Sequence, residues 1–96
     1  TVTVRPDRDS VWAQFTVMVP NREAVIAHLK EAGIPTAIHY PRPIHAQPAY
    51  AAFAAAEGAT PVSDTLAATV MSLPMHPDLD EATQDQIVAA LRAALG

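Results

Sequence analysis

Residues 11–40 read VWAQFTVMVPNREAVIAHLKEAGIPTAIHY, and two kinds of hydrophobic periodicity follow each other in this stretch. In Val11–Val19 the side chains alternate between two faces and include β-branched and aromatic residues, which predicts a β-strand that Pro20 ends. In Arg22–Ala32 the apolar side chains recur at helical spacing and predict an α-helix. Strands and helices continue to follow each other towards the C-terminus, so the predicted fold class is α+β, a small sheet with helices packed on it.

Local signals mark the ends of this helix and the element after it. Asn21 is the predicted N-cap, because its side chain can accept hydrogen bonds from the free backbone N–H groups of a helix start. Gly33 suits the left-handed conformation that follows many helices, and Pro35 prevents the helix from continuing. Ile34–Tyr40 is predicted to form a second short strand.

The rest of the chain divides into short segments bounded by proline or glycine. A final helix is predicted to begin after its N-cap Asp80 and to run through Leu95, because Ile87, Val88 and Leu91 recur at helical spacing. The other predicted elements are a loop at Pro41–Gln47, a helix at Pro48–Glu57 that Gly58 ends, a short helix at Pro61–Ala68, and a strand at Val70–Leu73 that Pro74 ends.

The composition predicts one domain with a thin core. The chain has 96 residues and is 50% hydrophobic, but twenty of those 48 residues are alanine. A domain of this length buries only about 60–65% of the surface that its unfolded chain exposes. We therefore expect a layer that is stabilised by packing against something else.

Several classes of function are disfavoured or excluded by the same composition. The net charge is −4 and the six basic residues are spread singly, so the clustered cations that nucleic-acid binding needs are missing. No apolar run approaches the ~20 residues of a membrane span, and the absence of cysteine excludes disulfides and thiolate metal sites. Thr1–Ser10 lacks a signal-peptide pattern and does not begin with methionine, which predicts a fragment of a soluble cytoplasmic protein.

The stretch His39–Tyr50, HYPRPIHAQPAY, concentrates side chains that can recognise a ligand. Its prolines lower the entropic cost of holding one loop conformation, and imidazole, phenol, guanidinium and amide groups suit a polar ligand. A purely structural role is the alternative, in which Tyr40 and Tyr50 belong to the core and the histidines cap backbone carbonyls. The residues alone leave both interpretations open.

No other group of residues forms a complete active site. His28 is expected on the solvent side of a helix, and the spacing of His39 and His45 matches no metal motif, with no acidic residue nearby in sequence. The serines have no glycine-rich turn around them, and three glycines are too few for the usual phosphate-binding loops.

The order of the motifs resembles a known family. NREAVIAHLKEAGIPTAIHYPRPIHAQPAY and PVSDTLAATVMSLPMHPDL are similar to the C-terminal small domain of the DegT/StrS-type sugar aminotransferases, pyridoxal-phosphate enzymes of aspartate-aminotransferase (type I) fold. The family pattern H-Y-x-x-P-x-H-x-Q-x-x-Y is matched from His39 to Tyr50, and S-L-P-[ML]-H-P from Ser72 to Pro77. Asp64 departs slightly, because many members carry glutamate there.

The resemblance implies an enzyme of amino-sugar and polysaccharide biosynthesis that transfers an amino group, usually from glutamate, to a nucleotide-linked keto-sugar. Residues 1–9 would lead in from a missing N-terminal pyridoxal-phosphate domain, and residues 10–96 would be the small domain of a homodimeric parent. Lys30 matches no family motif, so this chain alone is expected to bind no cofactor and to be inactive. Trp12, Met18 and Met75 are candidates for apolar surface that the missing domain would cover. The residues carried over to the substrate pocket are His39, Tyr40, Arg42, His45 and Gln47.

Two alternatives remain at the level of the sequence. One is a stand-alone α+β ligand-binding or regulatory module, which would show a βαββαβ order and often an internal repeat; the second half here does not repeat the first. The other lies within the family, where some members use the same cofactor for sugar dehydration.

Overall fold

In the computed structural model, which describes residues 3–53 and 59–96, helices cover a two-stranded sheet. This arrangement confirms the predicted α+β class. Within the described ranges, no helix combines the length and apolar character needed to cross a membrane. The elements in chain order are β1 (Phe15–Met18), α1 (Arg22–Glu31), two 3₁₀ turns (Ile44–Ala46 and Pro48–Phe53), α2 (Pro61–Thr69), β2 (Val70–Leu73) and α3 (Glu81–Leu95).

The two strands are antiparallel, and their register runs from Phe15 opposite Leu73 to Met18 opposite Val70. The predicted strand at Val11–Val19 is therefore shorter than expected. The ladder ends at the pair of Phe15 and Leu73, and Pro74 follows directly after it. Val11 is accordingly 97% exposed.

The predicted strand at Ile34–Tyr40 is wrong. This segment makes a single bridge, in which the backbone of Ala37 exchanges two hydrogen bonds with that of Ser72. Pro35 cannot donate a hydrogen bond to a ladder, so a longer pairing is not available on that side. Ala37 nevertheless holds the start of the proline-rich loop against β2, and this places the loop beside the sheet.

The core lies on one face of the sheet, where Val17 and Met71 stand opposite each other. Leu29 of α1 and Met71 are both 0% exposed, and α3 adds Leu91 and its neighbouring alanines to the same cluster. The buried apolar side chains among the described residues are few, as expected from the alanine content: Val17, Val19, Val25, Leu29, Ala67, Val70, Met71 and Ile87.

At the ends of α1, the predicted side-chain N-cap is wrong and the predicted left-handed glycine is confirmed. Asn21 occupies the N-cap position, but its φ of 48° is left-handed and its side chain makes no capping bond. Its backbone carbonyl accepts from Ala24 and Val25 instead. Gly33 has the predicted positive φ of 75°, and the N–H of Ile34 reaches back to the carbonyl of Leu29 at 2.9 Å, which closes the helix as in a Schellman motif.

The later elements follow the prediction closely. The Asp80 carboxylate accepts the Thr83 backbone N–H at 2.7 Å, and α3 ends at Leu95 as expected. The helix α2 is one residue longer than predicted. Pro48–Phe53 is a 3₁₀ helix, and the remainder of the predicted helix, with its stop at Gly58, lies outside the described residues.

Candidate functional site

A surface cavity of about 470 Å³ lies between the proline-rich loop and the end of α2, within the usual size range of small-molecule sites. All five residues carried over from the family resemblance line this cavity. They lie in one continuous loop, and α2 and the start of β2 form the opposite wall. The lining residues are His39, Tyr40, Arg42, Pro43, Ile44, His45, Gln47, Ser63, Leu66, Ala67 and Val70.

The loop side of the cavity is held by a short 3₁₀ turn. The N–H of Ala46 donates to the carbonyl of Pro43 at 3.0 Å, and the N–H of Gln47 donates to that of Ile44 at 3.1 Å. Prolines at 41, 43 and 48 restrict φ on both sides of this turn. The backbone that carries His45 and Gln47 is therefore held by hydrogen bonds and proline rings before any ligand binds.

His39 is fixed by the second face of the sheet. Its Nδ1 lies 3.3 Å from the hydroxyl oxygen of Ser72, which is 5% exposed, and that hydroxyl lies 3.0 Å from the hydroxyl of Thr16. Register explains the contact, because Thr16 and Ser72 are opposite each other and share the face that lies away from the core. The buried serine thus orients a histidine whose remaining surface is open to solvent.

The purely structural interpretation of the loop does not hold for these side chains. Tyr40 is 70% exposed and Tyr50 is 47% exposed, so neither tyrosine belongs to the core. The His39 and His45 rings contact hydroxyl and carboxylate side chains instead of capping backbone carbonyls. The Tyr40 ring packs edge-on against His39, with ring centroids 5.6 Å apart.

His45 has an acidic partner that the sequence did not suggest. Its Nε2 lies 3.2 Å from Oδ1 of Asp64, and the hydroxyl of Thr60 lies 3.4 Å from the same nitrogen. Asp64 follows His45 only after an intervening segment, and the first turn of α2 brings it back to the loop. The available signal was an acidic side chain at a predicted helix start, where carboxylates are favoured.

The electrostatic character of the lining differs from that of the chain. The protein carries a net charge of −4, whereas the described lining contains an exposed guanidinium, Arg42, and two imidazoles, but no carboxylate. Asp64, which contacts His45 of this lining, is already paired with it. A cavity with this lining suits a ligand that carries negative charge and hydrogen-bonding hydroxyls.

The floor of the cavity is tied to α1 by an arginine that sequence reasoning missed. Nη1 of Arg22 donates to the carbonyls of Ala67 and Val70, at the C-terminal end of α2. A cation there satisfies carbonyls that the helix leaves free and interacts favourably with the helix dipole. The sequence places Arg22 at a helix start and contains no local signal of its distant partners.

The remaining candidate groups lie elsewhere. His28 is exposed on α1, as expected, and His76 borders a different cavity beside α3. Across residues 3–53 and 59–96, no three His, Asp or Glu side chains are grouped closely enough to hold a metal ion. Lys30, the single lysine of the sequence, is exposed on α1 and is not part of the described lining. The described lining of this cavity therefore contains no lysine.

The predicted bare apolar surface is partly present. Met18 is 55% exposed and Met75 is 37% exposed, whereas Trp12 is half-buried against Phe15, with ring centroids 5.1 Å apart.

A protein-family model matches nearly the whole chain. The model of the DegT/DnrJ/EryC1/StrS aminotransferase family matches residues 1–92. A Pseudomonas aeruginosa protein named UDP-2-acetamido-2-deoxy-3-oxo-D-glucuronate aminotransferase is 56% identical over 82 residues. That match covers 85% of this chain but only 22% of the relative, so the chain spans less than a quarter of the relative's length.

Solved structures give the same picture of the fold. A DegT DnrJ EryC1 StrS aminotransferase from Brucella abortus superposes with a TM-score of 0.86 at 40% identity, over 98% of this chain and 25% of that one. S. venezuelae DesV, solved in complex with a ketimine intermediate, superposes with a TM-score of 0.87 at 40% identity, over 95% of this chain and 24% of that one. The fold is thus that of a small domain of a type I enzyme.

Proposed function

Because the chain belongs to the DegT/DnrJ/EryC1/StrS aminotransferase family, we propose that residues 10–96 are the C-terminal small domain of a pyridoxal-phosphate-dependent aminotransferase acting on a nucleotide-linked keto-sugar. Glutamate would be the amino donor. The name of the P. aeruginosa relative supports this substrate class. The short share of each relative that the chain covers supports a further, larger domain.

The observation that carries the proposal is the convergence of the five polar side chains on one cavity. A nucleotide-sugar presents charged phosphates and several hydroxyls, and each needs a hydrogen-bond partner when it leaves water. Arg42 can donate two bonds to a phosphate in a fork geometry. His39 and His45, with Tyr40 beside them, can meet the sugar or phosphate oxygens, and Gln47 can both donate and accept.

The chain's contribution in this proposal is binding and orientation. Pyridoxal phosphate, held in the parent by another domain, would supply the electron sink for amino transfer. Lys30 is exposed on α1 and is not part of the described lining, so in this proposal the chain supplies no covalent attachment for it. The chain alone would therefore be inactive.

The exposure of the loop supports a further wall of the cavity, supplied by another domain of the parent. Tyr40 and Ile44 are each 70% exposed, so the loop side of the cavity faces solvent in the isolated chain. A large domain packed over them would bury apolar surface and exclude water from the ligand. The family membership argues against a stand-alone regulatory module. The cytoplasmic location and the homodimeric state of the parent stay predictions. That the parent catalyses amino transfer and not sugar dehydration is also a prediction.

The test uses His45 in the full-length enzyme of this proposal. A hydrogen bond to a charged group contributes about 1.5–3 kcal/mol, so His45→Ala should raise KM for the nucleotide-sugar about 10- to 150-fold. KM for glutamate should change far less. His28→Ala is the matched control, because it removes an exposed imidazole from α1. If His45→Ala had normal stability and an unchanged KM for the nucleotide-sugar, this cavity would not be the substrate site.

A further inference from the structure

Three polar side chains, one from the loop and two from the start of α2, meet at the edge of the cavity. Nε2 of His45 lies 3.2 Å from Oδ1 of Asp64, and the Thr60 hydroxyl lies 3.5 Å from Oδ2 of Asp64. The same hydroxyl lies 3.4 Å from Nε2 and 3.5 Å from Nδ1 of His45. The 3.2 Å contact is the shortest of these and defines the cluster.

The carboxylate restricts the chemical role of each ring nitrogen. Ionised aspartate only accepts hydrogen bonds, so the nitrogen that faces it, Nε2, must carry the proton. Nδ1 then has only the long 3.5 Å contact with the Thr60 hydroxyl among the described residues, so it is the nitrogen that a ligand would meet. In the neutral ring Nδ1 accepts, for example from a sugar hydroxyl, and in the protonated ring it donates, for example to a phosphate oxygen. Asp64 therefore decides which edge of the imidazole a ligand meets.

Asp64 is held by an α-helix, whereas His45 lies in a three-residue 3₁₀ turn. Asp64 lies in the first turn of α2, where its backbone N–H donates to the carbonyl of Thr60 at 3.0 Å. Arg22 fixes the other end of the same helix through Ala67 and Val70. A loop side chain thus takes its orientation from a helix whose C-terminal end is anchored to α1.

The exposure of the pair indicates orientation as its main role. The His45 side chain is 28% exposed and that of Asp64 is 45% exposed. Pairs this open to water contribute little to stability, because solvent screens the charges. The same small free energy limits how strongly the carboxylate can favour one tautomer and one ring orientation, so we expect a modest effect on binding.

We propose that Asp64 is a positioning residue for substrate, which fixes the tautomer and ring orientation of His45 and so sets its hydrogen bond to the nucleotide-sugar. This inference rests on the proposed function and adds to it a residue that does not line the cavity. The chemistry requires a carboxylate at this position, and glutamate would satisfy the same requirement with a longer side chain.

The experiment compares four variants of the full-length enzyme: Asp64→Asn, Asp64→Glu, His45→Ala and the double variant His45→Ala/Asp64→Asn. Asp64→Asn should raise KM for the nucleotide-sugar about two- to fivefold, the range that corresponds to an exposed charge pair. KM for glutamate should stay unchanged, and Asp64→Glu should restore most of the loss. Asp85→Asn, at an exposed position on α3, is the control for loss of a surface carboxylate.

The double variant separates a positioning role from an independent one. If Asp64 acts through His45, removing the carboxylate should have no further effect once the imidazole is gone, so the two changes will not be additive. Additive effects would overturn the inference, and so would an Asp64→Asn enzyme with unchanged nucleotide-sugar KM. In either case a large effect of His45→Ala would leave the proposed function intact. If His45→Ala itself left the kinetics unchanged, the proposed site would fall, and the role of Asp64 with it.

Discussion

Replacing Arg22 by methionine tests whether the floor of the cavity depends on α1. The guanidinium Nη1 donates to two carbonyls at the end of α2, those of Ala67 and Val70. Methionine keeps much of the apolar stem and removes all the donors. Both carbonyls would then have to find water at a part-buried site.

The expected magnitude is the difference between two opposing contributions. Hydrogen bonds from a charged donor contribute about 1.5–3 kcal/mol each, but here both come from a single nitrogen. Against this, Nε of Arg22 is buried without a hydrogen-bond partner among the described residues. An unsatisfied donor costs about 1–3 kcal/mol, and the methionine variant no longer has that cost. We expect a net loss of about 1–2 kcal/mol, or a fall in Tm of roughly 4–16 °C for a domain of this size.

Thermal unfolding followed by circular dichroism would measure the change. Arg92→Met is the matched control, because Arg92 is an exposed arginine in the last turn of α3. Its substitution should shift stability by no more than about 0.5 kcal/mol. A Tm for Arg22→Met equal to that of the wild type, or a fall no larger than in Arg92→Met, would refute the argument that these bonds hold α2 in place.

Two further predictions concern a helix cap and the cofactor. Hydrogen bonds from Thr83, through its side chain and its backbone N–H, lower the pKa of Asp80 below its ordinary value of 3.8. The cap therefore stabilises the folded state above pH 3.8, and this stabilisation is lost as the pH falls through the lowered pKa. Tm measured from pH 7 to pH 3 should show the wild type above Asp80→Ala at neutral pH and the two converging in acid, and a gap that widened in acid would contradict the sign. The chain alone, mixed with pyridoxal phosphate and reduced with borohydride, should show by mass spectrometry no stoichiometric adduct on Lys30; a one-to-one adduct absent from Lys30→Arg would show that the chain does hold the cofactor.

The elements that the sequence predicted well depend on short-range chemistry. Asp80 caps α3 through a residue three positions away, Gly33 supplies a left-handed backbone directly after α1, and Pro74 ends β2 because it has no N–H group. In each case the deciding contact lies within one turn of the residue itself. The five pocket residues fall in one loop, so a single motif was enough to select them, although their role in binding is still a prediction.

The features that the sequence did not predict depend on partners far along the chain. β1 is short because its partner strand, β2, ends at Leu73. Ile34–Tyr40 makes only one bridge because pairing requires a neighbour with free backbone donors. The bonds of Arg22 span 45 and 48 positions, and Thr60 lies 15 positions from His45. Local sequence determined where helices begin and end and which side chains the loop displays. Only the tertiary structure decided what those side chains contact, because hydrogen bonds and charge pairs depend on distances in space that the order of residues does not specify.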